Sequence, residues 1–124
     1  MKLLQLDYRD EALKQLKSHF FNLLNKDFYR HILAFQAPTG SGKTVTMACL
    51  LRDIVNELPT HFEIANRNVT YIWIAPNTLH LQSYASLSNF YSETRDIRTI
   101  GIEDITDECL KPNEMLFLNW QTIN

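Results

Sequence analysis

Apolar residues recur along the chain with two spacings, one typical of helices and one typical of strands. From Asp7 to Asp27, leucine and phenylalanine side chains follow a three-and-four spacing with polar residues between them. This pattern predicts one amphipathic helix, with Asp7 as its N-cap. A second helical run extends from Val45 to Leu58, and Pro59 is expected to end it.

Three short apolar runs predict buried strands. His31–Gln36 precedes the second helix, and its mostly apolar character is typical of a strand that is buried on both faces. Val69–Ala75 is rich in β-branched and aromatic residues, and Met115–Leu118 is a continuous apolar run. A further helix is expected to begin after the second strand, with Asn77 or Thr78 as its N-cap.

A glycine-rich segment joins the first predicted strand to the second helix. Its residues are Ala37, Pro38, Thr39, Gly40, Ser41, Gly42, Lys43 and Thr44. The glycines allow successive backbone N–H groups to point at phosphate oxygens. Lys43 would then reach the β- and γ-phosphates, and the Thr44 hydroxyl would bind Mg²⁺ at the first turn of the helix.

The order of strand, glycine loop and helix favours a nucleotide site over the alternative, a flexible turn with an incidental lysine. Pro38 to Thr44 are therefore the candidate residues for binding ATP with Mg²⁺. Lys43 and Thr44 are the candidate catalytic residues, and Thr44 is the candidate metal ligand.

Three segments together resemble one family of nucleic-acid motors. Ala37 stands where the general phosphate-loop pattern has glycine, and the segment to Thr44 resembles motif I of the superfamily-two helicases and translocases. The segment Ala75–Leu79, with Gln82 three residues on, is similar to motif Ia. The strand that runs into Asn119-Trp120 resembles the one before the acidic box in DEAD/DEAH-type proteins related to the type III restriction endonuclease subunit.

This resemblance implies a three-layer α/β fold of the RecA-like P-loop NTPase type, with a mostly parallel sheet that is truncated before the Walker B strand. Residues 1–124 would form an incomplete ATP-binding domain. Its parts would be an N-terminal helix (1–28), a strand, P-loop and helix (31–58), the motif Ia strand and helix (69–92), and further strands (97–124). The implied activity is ATP-dependent movement on DNA within a restriction system.

The resemblance also implies which residues meet DNA, and which parts are missing. Asn77, Thr78 and Gln82 are carried over as contacts to the nucleic-acid backbone. Helix capping and polar surface are the better explanation of these residues taken alone, but their position after motif I favours the contact. Relatives read adenine with a Tyr-Gln dipeptide, but this chain has Tyr8-Arg9.

The Walker B box, motif III and the arginine finger have no counterpart in the sequence. Three acidic pairs are better interpreted as charged surface: Asp10-Glu11, Glu103-Asp104 and Asp107-Glu108. The chain alone is therefore expected to bind nucleotide weakly and to hydrolyse it slowly or not at all. A second RecA-like domain or a companion chain is expected to complete it, and strand 31–37 should meanwhile expose an apolar edge.

Composition adds limits on location and partners. The chain has 124 residues, is 45% hydrophobic and carries a net charge of −2, so it lacks the basic footprint typical of a nucleic-acid motor. Cys49 and Cys109 have neither pair nor metal spacing, which favours reduced thiols in the cytoplasm. Val69–Ser92 contains no Asp, Glu, Lys or Arg, but Pro76 and the asparagines and serines of this segment argue against a membrane span.

Two classes of function remain open after the sequence is considered. The first is the ATP-binding portion of a DNA helicase or translocase. The second is a non-enzymatic nucleotide-binding remnant or subunit that acts through a partner chain. A small kinase-type phosphate-loop protein is a third and weaker hypothesis.

Overall fold

Helices and strands alternate along the residues that this computed structural model describes, 2–26, 31–36, 43–62, 69–105 and 109–123. In chain order the elements are α1 (Lys2–Lys26), α2 (Lys43–Phe62), β1 (Tyr71–Ala75), α3 (Leu79–Tyr91), β2 (Arg98–Gly101), a 3₁₀ turn (Ile102–Asp104), β3 (Glu114–Asn119) and α4 (Trp120–Ile123). The three strands form one all-parallel open sheet. This is the α/β class expected for part of a RecA-like domain.

The chain divides into two compact units, Met1–Ile54 and Val55–Asn124, and the division falls within α2. In the first unit, α1 begins at Lys2, so the prediction that Asp7 caps this helix is wrong. No glycine or proline interrupts residues 2–26, and most of them are good helix formers, so the helix continues to the N-terminal side of Asp7. Leu16 and Phe21 are buried, as are Ala48, Leu50 and Ile54 of α2.

One ion pair joins two helices of the first unit. Lys17 Nζ lies 3.4 Å from Asp53 Oδ2, and Arg52 Nε lies 3.4 Å from Asp53 Oδ1. The Lys17 and Asp53 side chains are 29% and 20% exposed, so water screens part of their attraction. The pair is therefore expected to contribute little to the stability of the fold.

The predicted end of α2 at Pro59 is also wrong, since the helix continues to Phe62. Proline has the backbone angle of a helical residue, and what it removes is one N–H bond to the carbonyl of the residue four positions earlier. Close to the end of the helix, that loss interrupts one bond and leaves the last turn in place.

The predicted strand at 31–36 is not a strand. These residues have no regular secondary structure, and Ile32 is 94% exposed and Leu33 37% exposed. A β-strand needs a hydrogen-bonded neighbour, and the three described strands pair only with one another. Apolar residues of this segment are exposed, but the expected apolar sheet edge is not formed.

The sheet of the second unit has the strand order β1-β3-β2. Its central strand, β3, is buried on both faces from Glu114 to Phe117, as its continuous apolar run predicts. The edge strand β1 alternates instead, and Ile72 and Ile74 are 56% and 44% exposed on one face. Thus the buried strand that the sequence predicts at Val69–Ala75 is buried on one face only.

Helix α3 packs against the other face of this sheet. The rings of Tyr84 and Phe117 meet edge to face with centroids 5.4 Å apart, and Ser88 Oγ lies 2.7 Å from Thr99 Oγ1 in a hydrogen bond. Burial under this helix raises the pKa of Tyr71 above its ordinary value of 10.0, and nearby Tyr91 raises it further.

The amino ends of the strands are tied together by the turn before β3. Asn113 has a φ of 63°, a left-handed conformation that asparagine tolerates. Its N–H donates to Val69 O at 2.7 Å, and its carbonyl accepts the Arg98 N–H at 2.9 Å. The buried Glu114 carboxylate accepts the Lys111 N–H at 2.6 Å and lies 3.5 Å from Arg98 Nη1. These bonds set the register in which the strands leave the turn.

Candidate functional site

The N-terminus of α2 carries the two described residues of the glycine-rich segment. The helix begins at Lys43, so Lys43 and Thr44 occupy its first turn, and both side chains are exposed. The other predicted nucleotide-binding residues, Pro38, Thr39, Gly40, Ser41 and Gly42, lie outside the described residues. An ammonium group and a hydroxyl that are open to solvent at a helix N-terminus suit an anionic ligand, because the helix dipole adds to the charge of Lys43.

A second polar group lies at the carboxyl edge of the sheet, in the second unit. Parallel pairing aligns Ala75, the last residue of β1, with Asn119, the last residue of β3. The turns after both strands therefore emerge side by side. Turns at this edge are where open α/β sheets bind their ligands.

Three hydrogen bonds tie these two turns together, and a fourth lies within the turn after β3. The Asn119 side-chain amide donates to Asn77 O, and Asn119 Oδ1 accepts the Gln121 N–H at 2.7 Å. Gln121 Oε1 accepts the Asn77 N–H at 3.2 Å, and Gln121 Nε2 donates to Asn77 Oδ1 at 3.2 Å. We call Asn77, Asn119 and Gln121 the amide cluster.

The amide cluster holds a backbone conformation that β-branched residues disfavour. Asn77 has a φ of 54°, in the left-handed region where asparagine is enriched. The Gln121 side chain bonds both the N–H and the side-chain oxygen of Asn77, so the turn is fixed from outside its own segment. A loop fixed in this way can present side chains without first having to order itself.

Thr78 and Gln82 extend this edge along α3. Thr78 occupies the N-cap position, but its side chain makes no capping hydrogen bond, and Asn77 lies before the cap, so the predicted side-chain capping is wrong. The backbone itself satisfies the first turn, because Leu79 N–H donates to Pro76 O at 3.1 Å and Leu81 N–H donates to Thr78 O at 3.0 Å. The Thr78 hydroxyl and the Gln82 amide, one turn later, are both exposed.

The structure thus brings two of the sequence-predicted DNA contacts, Thr78 and Gln82, to one exposed edge, with Asn77 beside them. Sequence reasoning missed Gln121 as a member of this edge. The sequence contained a signal for this role, since the polar residue Gln121 closely follows the apolar strand predicted at Met115–Leu118. Trp120, an aromatic residue of the kind that is usually buried, is 53% exposed.

The acidic pairs, the two cysteines and the Tyr8-Arg9 dipeptide were also singled out in the sequence. Asp10, Glu11, Glu103 and Asp104 are exposed, as charged surface should be, while Asp107 and Glu108 lie outside the described residues. Cys49 and Cys109 are free thiols. Tyr8 and Arg9 lie inside α1.

Among the described residues, no three or more His, Cys, Asp or Glu side chains are grouped so that they could hold a metal ion. None of the described helices is both long enough and apolar enough to cross a membrane.

A model of a known protein family matches the chain. The family model described as type III restriction enzyme, res subunit, matches residues 2–124. No curated protein and no solved structure is significantly similar to the chain. The match spans nearly the whole sequence, including the glycine-rich segment and both turns of the amide cluster. The chain therefore belongs to the family of type III restriction enzyme res subunits.

Proposed function

We propose that this chain is the ATP-binding portion of a DNA helicase or translocase of a restriction system, which couples ATP hydrolysis to movement on DNA. The observation that carries the proposal is the start of α2 at Lys43, directly after a glycine loop whose sequence resembles motif I. Family membership supports the helicase-like class.

The residues at the start of α2 fit a magnesium-bound triphosphate. The Lys43 ammonium would contact the β- and γ-phosphates, and the Thr44 hydroxyl would be one oxygen ligand of Mg²⁺. Backbone N–H groups of residues 38–42 would donate to phosphate oxygens, as expected for a glycine loop. Bound ATP supplies the phosphoryl group, and the role of these protein residues is to hold it and to neutralise its charge.

The carboxyl edge of the sheet fits a nucleic-acid backbone. Side-chain hydroxyls, amides and backbone N–H groups are common donors to phosphate oxygens. Thr78 and Gln82 are exposed there, and the amide cluster fixes the turn that precedes them. These donors are neutral, so few counterions would be released, and the affinity is expected to depend only weakly on salt.

The nucleotide part of the proposal is tested by titrating the 124-residue chain with Mg-ATP in a calorimeter. Lys43→Ala should weaken binding roughly ten- to a hundredfold, because charge-assisted hydrogen bonds to phosphate are lost. Lys14→Ala, which removes an exposed lysine from the middle of α1, is the matched control and should bind like the wild type. Equal affinities of all three proteins would exclude a nucleotide site at Lys43.

The DNA part is tested by fluorescence anisotropy with labelled single-stranded oligothymidine at low salt. Gln82→Ala and Thr78→Val should weaken binding several-fold, at about 0.5–1.5 kcal/mol per lost hydrogen bond. Asn89→Ala, which removes an exposed amide near the other end of α3, should leave the affinity unchanged. Equal losses in all three variants would show that the edge is not the contact.

Exposed apolar residues favour a second candidate function, a nucleotide-binding subunit without activity of its own that acts through a partner chain. Ile72 and Ile74 are about half exposed on one face of the sheet. Large apolar side chains grouped on a surface are typical of interaction sites. The two candidates differ in turnover when a companion chain is added, since only the first predicts hydrolysis stimulated by DNA.

A further inference from the structure

A cleft of about 210 Å³ opens at the carboxyl end of the sheet, beside the turn that the amide cluster holds. Its walls come from the first turns of α3 and from the 3₁₀ turn after β2, and Phe117 of β3 forms its floor. His80, which lines it, is three residues from Asn77. Neither the nucleotide residues nor the DNA-backbone residues described above lie in this cleft.

The inner part of the cleft is aromatic. Tyr84 and Phe117 meet edge to face with their ring centroids 5.4 Å apart. On the neighbouring strand, the ring centroid of Trp73 lies 6.1 Å from that of Phe117. At the mouth, Leu81 and Ile102 are 58% and 52% exposed, so apolar groups flank the opening. Walls of this kind favour a flat, uncharged ring, as in proteins that bind unstacked bases.

The rim of the cleft is acidic. Glu103 and Asp104 are both exposed. Asp104 Oδ2 accepts one long hydrogen bond, of 3.4 Å, from the Gly101 N–H. Ionised carboxylates accept hydrogen bonds and donate none, and they repel phosphate. An occupant must therefore present N–H groups and keep its phosphates outside.

Two further observations limit the occupant. His80 Nδ1 is buried and has no hydrogen-bond partner among the described residues, so a polar atom in the cleft would satisfy it. The volume is below the roughly 300–1,000 Å³ that is typical of sites for whole small molecules. A single base fits these limits better than a complete nucleotide.

We propose that this cleft binds one unstacked guanine base of the strand whose backbone lies along the carboxyl edge. The Watson–Crick edge of guanine presents N1–H and N2–H₂ side by side, which matches the two oxygens of a Glu103 or Asp104 carboxylate. The ring packs on Tyr84 and Phe117, and the deoxyribose and phosphate lead out toward Asn77 and Thr78. This inference rests on the proposed function for the strand, but the base site itself is testable without one.

The first experiment uses nucleosides, which have no phosphate. Guanosine is titrated into the isotope-labelled 124-residue chain while the aromatic NMR signals of Tyr84 and Phe117 are followed. Guanosine should shift them, and inosine, which lacks the N2 amino group, should bind roughly fivefold or more weakly. 7-Deazaguanosine keeps the Watson–Crick edge and should match guanosine.

Variants of the rim separate recognition from folding. Glu103→Gln combined with Asp104→Asn should abolish the difference between guanosine and inosine, because an amide has one acceptor and turns its own N–H₂ toward the base. Glu93→Gln, an exposed carboxylate removed beyond the end of α3, should retain the difference. Equal shifts with guanosine and inosine, or no shift with either, would overturn the guanine site.

The second experiment links the cleft to the strand. Oligothymidine with one central guanine should bind roughly fivefold or more tightly than the same oligomer with a central abasic site, and the double rim variant should reduce this preference, because only the packing on Tyr84 and Phe117 remains. If neither oligomer binds while guanosine still shifts Tyr84, the proposed DNA contact fails and the guanine site stands. If both oligomers bind equally, the guanine site fails and the backbone contact stands.

Discussion

Gln121 holds Asn77 through two hydrogen bonds, although the two residues are 44 positions apart: its Oε1 accepts the Asn77 N–H, and its Nε2 donates to Asn77 Oδ1, each at 3.2 Å. The Gln121 side chain therefore accepts a backbone N–H that would bond to a backbone carbonyl in a β-sheet or a helix. The turn after β1 is thus held by a residue that lies just after the end of β3.

Gln121→Ala should loosen this turn without unfolding the sheet. The loss of one backbone bond of about 0.5–1.5 kcal/mol should speed amide exchange of Asn77 by roughly two- to tenfold. Native-state hydrogen exchange followed by NMR measures this directly. Gln82→Ala serves as the control, since Gln82 is exposed on α3 and is not part of the amide cluster. Unchanged exchange at Asn77 in Gln121→Ala would mean that the bond contributes nothing in solution.

Hydrolysis by the 124-residue chain alone should be slow. Its sequence has no acidic pair at the end of an apolar strand that could hold Mg²⁺ from the second side or orient water. We expect turnover well below roughly 1 s⁻¹, the lower end of typical phosphoryl-transfer rates, with or without DNA. Phosphate release from Mg-ATP measures the rate. Turnover near this value that Lys43→Ala abolishes would contradict the expectation.

The free energy of unfolding should decrease at alkaline pH because Tyr71 is buried. Its pKa in the folded chain lies above the ordinary value of 10.0, so the unfolded chain loses this proton first as the pH rises. The contribution to stability is therefore complete below about pH 10 and decreases above it, by up to about 1.4 kcal/mol per pH unit. Urea unfolding at several pH values should show a smaller decrease for Tyr71→Phe, whereas parallel curves would contradict the assignment.

Ile72 and Leu116 are cross-strand partners on the same sheet face, but their burial differs greatly. Leu116 is 7% exposed on the central strand, and Ile72 is 56% exposed on the edge strand. Leu116→Ala should cost about 2–5 kcal/mol of unfolding free energy, and Ile72→Ala less than about 1 kcal/mol. Chemical denaturation of the two variants gives the comparison. Similar costs would show that the face around Ile72 is covered in solution.

Local patterns alone were enough to predict much of the fold. The run at 115–118 is apolar at every position, which indicates a strand with neighbours on both sides, and β3 is the central strand. The helix after the glycine loop was also predicted, because its apolar spacing and the preceding Gly42 agree on where it begins. In each case the signal lies within one segment of the chain.

Errors arose where an element depends on a partner or on its position in the chain. The run at 31–36 has the composition of a buried strand, but strand formation also needs a hydrogen-bonded partner, and this run pairs with none of the three described strands. Helix α1 passes through the expected cap at Asp7, since a favourable cap residue does not stop a helix whose preceding residues also favour it.

The sequence by itself determined the family, the α/β class and the two segments that carry the candidate chemistry, because each is encoded in residues that are close in the chain. Tertiary structure decided which polar residues act together. Asn77, Asn119 and Gln121 meet only because parallel pairing brings the ends of β1 and β3 to the same edge, 42 to 44 residues apart in sequence. The cleft beside them likewise exists only where α3 packs on β3, since a short-range pattern contains no information about which distant side chains enclose a volume.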